Sequence, residues 1–343
     1  MLTSPHMESP RSHEGLAGGR VLVTGGYGFV GQAVTRALAA AGAQVTCLYR
    51  PGSRPIRDLP GTLLAGDARD PALLSAALDG VDFVVHLAAR SGGIQFQEAS
   101  HIEVFTENHG LTSAVLSTAA RAGVRRVFLA SSATVYRDQT AELLAESAPL
   151  VMPGVDQVSG YAWSKLTDEA LGGWHARQGD FEVVIGRFTN VYGPGGSFES
   201  DRSTVIHALV RRAVETPPGG WLVVWGDGSP VRSFIYIDDA ASAVLDVLLH
   251  GVSGEAYNID SSEPVTIAEL AEMIRHALGG ELSVQFDPSQ PSGMPRRVLD
   301  TRKLRTLGCQ PLTPLSMGVR GTVAHYRELS GLPEEGRFTA GVG

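Results

Sequence analysis

The stretch VLVTGGYGFVG, Val21 to Gly31, decides the fold: an apolar run meets a glycine turn and continues into a small-residue helical run reaching Ala41. A strand, a tight turn and a helix in that order bring unpaired backbone N–H groups and the positive helix end to one point, which suits a pyrophosphate. Gly25, Gly28 and Gly31 follow a G-x-x-G-x-x-G spacing. A side chain at these positions would respectively strain the turn, block the phosphate, or push the helix off the sheet. Tyr27, Phe29 and Val30 complete the turn and share its expected cofactor contacts. A glycine-rich turn of any α/β protein is the competing reading, and the rest of the chain decides between them.

With 343 residues, 43% hydrophobic and 19% charged, the chain suits one large α/β domain or two modest ones. The formal charge of -8 and the scattered Lys and Arg residues exclude a nucleic-acid partner, while local arginines still allow an anionic small molecule. Cys47 and Cys309 have neither metal-ligand nor C-x-x-C spacing, so no metal site and a reducing cytoplasm are expected. Residues 1–18 read as a flexible leader without the apolar core of a signal peptide, and no apolar run approaches a membrane span.

Apolar runs at Gln44–Tyr49, Thr62–Ala65, Asp82–Ala88, Arg126–Ala130 and Glu182–Arg187 alternate with helical patterns. This predicts a Rossmann-type doubly wound parallel sheet with ligands at the carboxyl ends of its strands. Beyond residue 190 the pattern shifts to Pro and Gly clusters, shorter strands and a helical stretch from Ile267 to Leu278. The expected organisation is a dinucleotide-binding unit over 19–190, then a smaller C-terminal α/β substrate lobe over 191–330. Some late elements of that lobe return to the main sheet, and a tail follows over 331–343.

Arg50 ends the second apolar run, where an NAD-preferring fold usually carries an acid for the ribose 2′-hydroxyl. A guanidinium there favours NADP(H) over NAD(H), because it pairs with a 2′-phosphate. Asp67, after the third strand, is placed for the adenine amine or, equally, as an acid before the helix opened by Pro71. HLAA, His86 to Ala89, ends the fourth strand with small residues, putting Leu87, Ala88 and Ala89 against the cofactor and leaving His86 as a packed histidine.

Tyr161 and Lys165 in SGYAWSK share one helix face at i, i+4 spacing. An ammonium beside a phenol lowers its pKa from about 10 toward working pH, giving a general acid or base, and the lysine also suits the nicotinamide ribose. Ser132, in LASSATVY, supplies a hydroxyl to the same substrate oxygen.

These motifs resemble the extended short-chain dehydrogenase/reductase family of nucleotide-sugar epimerases, reductases and dehydratases over about residues 19–328. The similarity includes HLAA, TENHG, SSATVY, YAWSK, GRFTNVYGP and WGDGSPVRSFIYIDD. Within the family, AARSGGIQF, YGPGGSFESDRSTVIHALVRR and PSGMPRRVLDTRKL are most similar to GDP-fucose synthase and GDP-mannose 3,5-epimerase. The resemblance implies Ser132, Tyr161 and Lys165 as the catalytic trio, with Ala68, Asn108, Ala130, Phe188, Asn190 and Val191 around the cofactor. It also implies Ser132, Thr134 and Asn190 near the sugar, Arg212, Trp225 and Arg232 on the nucleotide diphosphate, and Arg296 as an additional phosphate contact.

The departures narrow the chemistry. Thr134 and Thr204 stand where GDP-fucose synthase carries a cysteine and a histidine for proton exchange, and Glu199 replaces the lysine of the 3,5-epimerase. A threonine hydroxyl is no base near neutral pH. His207, one helical turn from Thr204, is a possible substitute, and the competing reading makes it structural. The dehydratases' acidic pair falls on Ala133 and Thr134. Two reactions survive: NADPH-dependent reduction of a nucleotide-linked, in particular GDP-linked, 4-keto sugar with Tyr161 as general acid, and 4-epimerisation with a tightly held nicotinamide. A third class, a dinucleotide sensor without catalysis, typically loses Tyr or Lys of the pair, and both stand here. A reductase of small ketones would have no need of converging arginines. The family also implies a homodimer through the helices at Glu103–Ala122 and Tyr161–Gln178, although the apolar positions of the first equally suit its own sheet.

Overall fold

The computed structural model describes residues 13–53, 56, 58–91, 100–137, 142–152, 159–199, 203–290 and 294–331. Most of the leader and tail, and parts of the AARSGGIQF, SFESDRS and PSGMPRR segments, lie outside the described residues.

Strands β1 (Arg20–Thr24), β2 (Gln44–Tyr49), β3 (Thr62–Ala65), β4 (Phe83–His86), β5 (Arg126–Ser132), β6 (Glu182–Phe188) and, late in the chain, β11 (Ala256–Ile259) form one sheet. Its order is β11-β6-β5-β4-β1-β2-β3, and every pairing is parallel. Connections run away from β1 in opposite directions, so a crevice opens between the carboxyl ends of β1 and β4, where such sheets hold ligands. The strand alternation of β1 serves two cores. Val21 and Val23 face α1 (Phe29–Ala40) and α6 (Ile237–His250) through Val34, Leu38, Val244 and Leu248. Leu22 faces α2 (Pro71–Ala77) and α3 (His101–Ala122) through Leu74, Leu111 and Val115. Helix α4 (Gly160–Gln178) packs beside α3 on this second face.

Local chemistry sets the ends. Strand β4 stops at His86 rather than Ala88, because the Leu87 and Ala88 N–H groups turn to donate to the Thr24 carbonyl (3.2 Å) and hydroxyl (3.4 Å). Strand β5 runs to Ser132, two residues past the expected end, and so carries the serine to the sheet edge. Ser159 caps α4 by accepting from the Ala162 N–H, and Gly179 ends it at φ 79°, a left-handed backbone glycine adopts without strain.

A third core gathers Ile206 and Leu209 of α5 (Val205–Glu215), Leu222 and Val224 of β8 (Trp221–Trp225), Leu270 and Ile274 of α7 (Ile267–Ala277), and Val319 of α9 (Leu315–Ser330). Strands β7 (Asn190–Tyr192) and β10 (Phe234–Tyr236) pair in parallel along the seam between the cores. Val191 and Ile235 enter the first core, Tyr192 and Phe234 the third. Here β9 (Val231–Arg232), β12 (Val265–Thr266) and β14 (Arg296–Arg297) make a small sheet in the order β12-β9-β14, and β13 (Ser283–Asp287) pairs with β8. Helix α8 (Arg302–Thr306) returns Leu304 to the first core.

Candidate active site

The glycine turn fits a pyrophosphate. Gly25 has φ 72°, and a Cβ there would come 2.7 Å from the Ala88 backbone nitrogen. A Cβ on Gly31 would overlap the Gly25 carbonyl, so this glycine seats the helix on its own turn rather than on the sheet. Gly28 differs: its added Cβ would meet only the Gly25 oxygen, at 3.1 Å, leaving the rest of that side open. Helix α1 starts at Gly28 without a side-chain cap or an acid in its first turn, so its positive end is unneutralised. Tyr27 stacks flat on Tyr49 (centroids 3.8 Å, 5°), fixing the outer lip. Gly26, outside the expected spacing, is also closely packed, since a Cβ there would overlap the Cys47 Sγ.

Ser132, Tyr161 and Lys165 come together. Lys165 is buried, its Nζ donating to the Ala130 carbonyl at 2.8 Å and lying 5.9 Å from the Tyr161 ring centroid. Burial lowers the Lys165 pKa, while Asp168 and Glu169 act in the opposite sense. Tyr161 departs from expectation: burial pushes its phenol up to about 12, hydrogen bonding with the Ser132 side chain lowers it, and Asp168 adds to the rise. With the ammonium turned to Ala130, desolvation outweighs cationic stabilisation of phenolate. Ser132 Oγ accepts from the Thr134 N–H at 3.2 Å, and the Thr134 hydroxyl is buried without a hydrogen-bond partner among the described residues. An orphaned hydroxyl beside the serine suits a polar ligand.

Beneath the trio lie two polar networks. The Ser131 hydroxyl donates to Glu169, whose carboxylate also takes the buried Arg187 guanidinium at 2.7 and 2.9 Å. Arg187 further donates to the Tyr136 hydroxyl and the Glu146 carbonyl, tying the ends of β5 and β6 together. His86 bonds Thr24 (2.7 Å) and Thr112 (3.1 Å), and Thr112 donates to Asp168 at 2.8 Å. Burial, with Lys165 adding to it, holds His86 down at about 3, the packed histidine expected. Asn108 is buried: its amide bridges the Arg90 N–H and carbonyl and reaches Ser164, so it positions the loop after β4. Ala68 is buried in one core and Leu87 packs against the other.

The outer rim is charged. Arg50 donates to Glu107 at 3.0 Å; Glu107 also takes Arg90 at 3.1 Å, and Arg90 reaches Glu103. Asp67 is gripped by Arg69 at 2.6 Å and held below the usual carboxylate range by it. The acid that caps α2 is Asp70, accepting from Ala72 and Leu73 before Pro71, and Asp67 has no part in the cap. Phe188 ends β6 opposite Ser132 in register, and the Asn190 amide donates to the Ser233 carbonyl at 3.1 Å. Asn190 and Val191 belong to the seam, Val191 buried in the first core.

On the other lobe, Arg297 lies opposite Arg232 in the β14–β9 register, whereas Arg296 pairs with Val231 and donates to the Glu142 carbonyl at 2.9 Å. The arginine beside Arg232 is therefore Arg297, because one step along a strand reverses the face. Burial, reinforced by Arg232, drives Arg297 down to about 10, and burial also depresses Arg232. Arg212 lies 4.9 Å over the half-exposed Trp225 ring and donates to the Val223 carbonyl. His207 bonds Thr204 through Nδ1 (2.8 Å) and donates from Nε2 to the Gly193 carbonyl (3.1 Å). Both ring nitrogens are occupied and the ring is buried.

A glycine cradle at the switch point, with serine, tyrosine and lysine gathered along the same sheet edge, is the layout of a dinucleotide-dependent enzyme. The chain belongs to the NAD dependent epimerase/dehydratase family, whose model matches residues 21–260. It is similar to a dTDP-4-dehydro-6-deoxy-D-allose reductase from Streptomyces sp, 33% identical, over 91% of this chain and 97% of the relative. A putative GDP-L-fucose synthase 2 from Oryza sativa subsp. japonica is also 33% identical, over 90% of this chain and 86% of its own. Among solved structures, dTDP-glucose 4,6-dehydratase from Streptomyces venezuelae with NAD bound superposes at a TM-score of 0.78, with 31% identity, over 92% of this chain and 99% of that one.

Sequence reading missed Arg297, Glu107, Gly26 and the Glu169–Arg187 pair. An R-R dipeptide and the acid inside TENHG offered signals only for the first two.

Proposed function

We propose that the protein is an NADPH-dependent reductase of a nucleotide-diphosphate-linked 4-keto sugar. The observation that carries this reading is Tyr161 standing with Ser132 and Lys165 at the carboxyl end of β5, its partly buried phenol shifted toward the protonated form. A neutral phenol is a general acid, the form in which a reduction begins. The bound dinucleotide supplies hydride to the sugar carbon. The chain does the rest: the Gly25–Gly31 turn and the α1 N-terminus hold the pyrophosphate, and Lys165, released from Ala130, takes the nicotinamide ribose. Ser132 orients the ketone oxygen, and Tyr161 gives its proton to the developing alkoxide. Arg232 and Arg297 face the sugar-nucleotide diphosphate, with Trp225 and Arg212 at the base. Absence of an acid pair at Ala133 and Thr134, and of a free base at Thr204 or His207, supports chemistry confined to C4. The allose reductase and fucose synthase relatives support the same class.

NADP(H) is the proposed cofactor on the strength of Arg50 at the end of β2. A homodimer is proposed through the outer faces of α3 and α4, where Ile102 and Trp174 are exposed. A cytoplasmic setting is proposed from the cysteine usage.

The test is incubation with GDP-, dTDP- and UDP-linked 4-keto-6-deoxy sugars and NADPH or NADH, GDP first, with product identification. Stoichiometric loss of reduced cofactor with a 4-hydroxy product supports the reductase. Exchange of C4 epimers without net cofactor loss replaces it by the 4-epimerase. Dinucleotide binding with no turnover on any sugar overturns both.

A further inference from the structure

Resting on the reading of the β2 edge as the adenosine end of the dinucleotide site, we propose that Glu107 sets the choice between the 2′-phosphorylated and unphosphorylated cofactor. Arg50 directly follows β2, where the 2′ substituent of a bound dinucleotide is recognised. Its side chain is 70% exposed, and its Nη1 donates at 3.0 Å to Oε1 of Glu107, a carboxylate only 15% exposed. The other carboxylate oxygen takes Arg90 at 3.1 Å. Arg90 is held on its backbone side by Asn108, next to Glu107 in α3, so the carboxylate sits on a braced frame. Among the described residues the rim pairs Arg50, Arg69 and Arg90 with Asp67, Glu103 and Glu107.

Two consequences follow from charge. A 2′-phosphate must win Arg50 from Glu107 and then sit beside that carboxylate, which weakens the phosphorylated cofactor. A ribose 2′-hydroxyl, by contrast, finds an acceptor in Glu107, the function other dinucleotide sites place on the second strand itself. Arg50 and Glu107 thus pull in opposite directions, and the carboxylate from α3 tempers the preference that the arginine alone would set.

The experiment measures binding, not turnover. NADPH, NADH, 2′,5′-ADP and 5′-AMP are titrated by calorimetry or nicotinamide fluorescence into the wild-type chain, Glu107→Gln, Arg50→Ala and the double variant. Glu107→Gln is expected to tighten NADPH and 2′,5′-ADP by about 10-fold, the equivalent of losing one nearby like charge. NADH and 5′-AMP should hold or weaken. The gain should shrink at high salt and fall away in the double variant. Glu107→Asp, which keeps the charge but draws it back from Arg50, should fall between wild type and Glu107→Gln and serves if the glutamine variant does not fold. Equal shifts for both cofactor types, or none, overturn the proposal. Failure of every nucleotide to bind the wild-type chain overturns the site reading itself, a different result from failure to discriminate.

Discussion

Arg232 and Arg297 stand opposite one another on neighbouring parallel strands, both with depressed pKa values, Arg297 pressed down to about 10 by burial and by its partner. Under the proposed function these two partly buried guanidiniums serve as the anion site, to which a diphosphate offers charge and paired oxygens.

Replacing Arg297 by Ala should raise KM for the sugar nucleotide by about 10- to 100-fold, the loss of one or two charge-assisted hydrogen bonds, with a much smaller fall in kcat. Arg296→Ala, on the opposite face, should change KM by less than about 3-fold. Steady-state kinetics on both variants, with calorimetry of the nucleoside diphosphate alone, checks this; equal effects would remove the assignment.

Tyr161→Phe should lower kcat by about 10²–10⁴-fold while cofactor binding stays within about 2-fold. With the phenol raised to about 12, its protonated, acid-competent form persists through the neutral and mildly alkaline range. Reduction should therefore keep a flat kcat/KM from about pH 6 to 9 as far as this group is concerned, and the reverse oxidation, which needs phenolate, should climb with pH. A reduction profile falling with a midpoint near 7 would contradict the assignment.

Gly26→Ala and Gly28→Ala should separate folding from binding. The first drives a methyl into Cys47 and should cost about 1–3 kcal/mol in urea unfolding, largely recovered when Cys47 is also reduced to Ala. The second meets no more than a 3.1 Å carbonyl contact, so its unfolding midpoint should hold while cofactor affinity drops by at least about 10-fold.

Asp260 gives a pH-dependent term in stability. Fully buried, it accepts from Ser233, Leu299 and Ser261, yet burial still lifts its carboxyl from 3.8 to about 6. A group whose folded pKa is raised stabilises fully below the unfolded value and loses that contribution as pH rises through the folded one. The wild-type chain, measured against Asp260→Asn, should therefore lose about 3 kcal/mol of relative stability between pH 4 and 7. Parallel pH profiles of the two proteins would contradict this.

What the sequence made legible is what is local. The glycine turn and Tyr161–Lys165 declare themselves because their geometry lies within a turn or two of helix. Arg297 was passed over for Arg296 because its face depends on pairing with β9, dozens of residues away. Glu107 meets Arg50 across 57 positions, and Cys47 fits under Gly26 only once β1 and β2 are paired. The phenol's raised pKa depends on desolvation by the assembled cleft, so the Tyr–Lys spacing alone suggested the opposite shift.

The path of the chain along the seam has a practical consequence for domain grafting. After β6 it leaves the large sheet for the lobe, comes back as α6 and β11, departs again for β12, α7 and β13, touches the first core through α8 and finishes in α9. Neither unit is a continuous length of polypeptide. Splicing in a foreign substrate lobe at a single junction after residue 190 would strip the sheet of its border strand and of the helix lining one face. A workable chimera must exchange several separate segments at once, leaving Ile237–Ile259 with the parent.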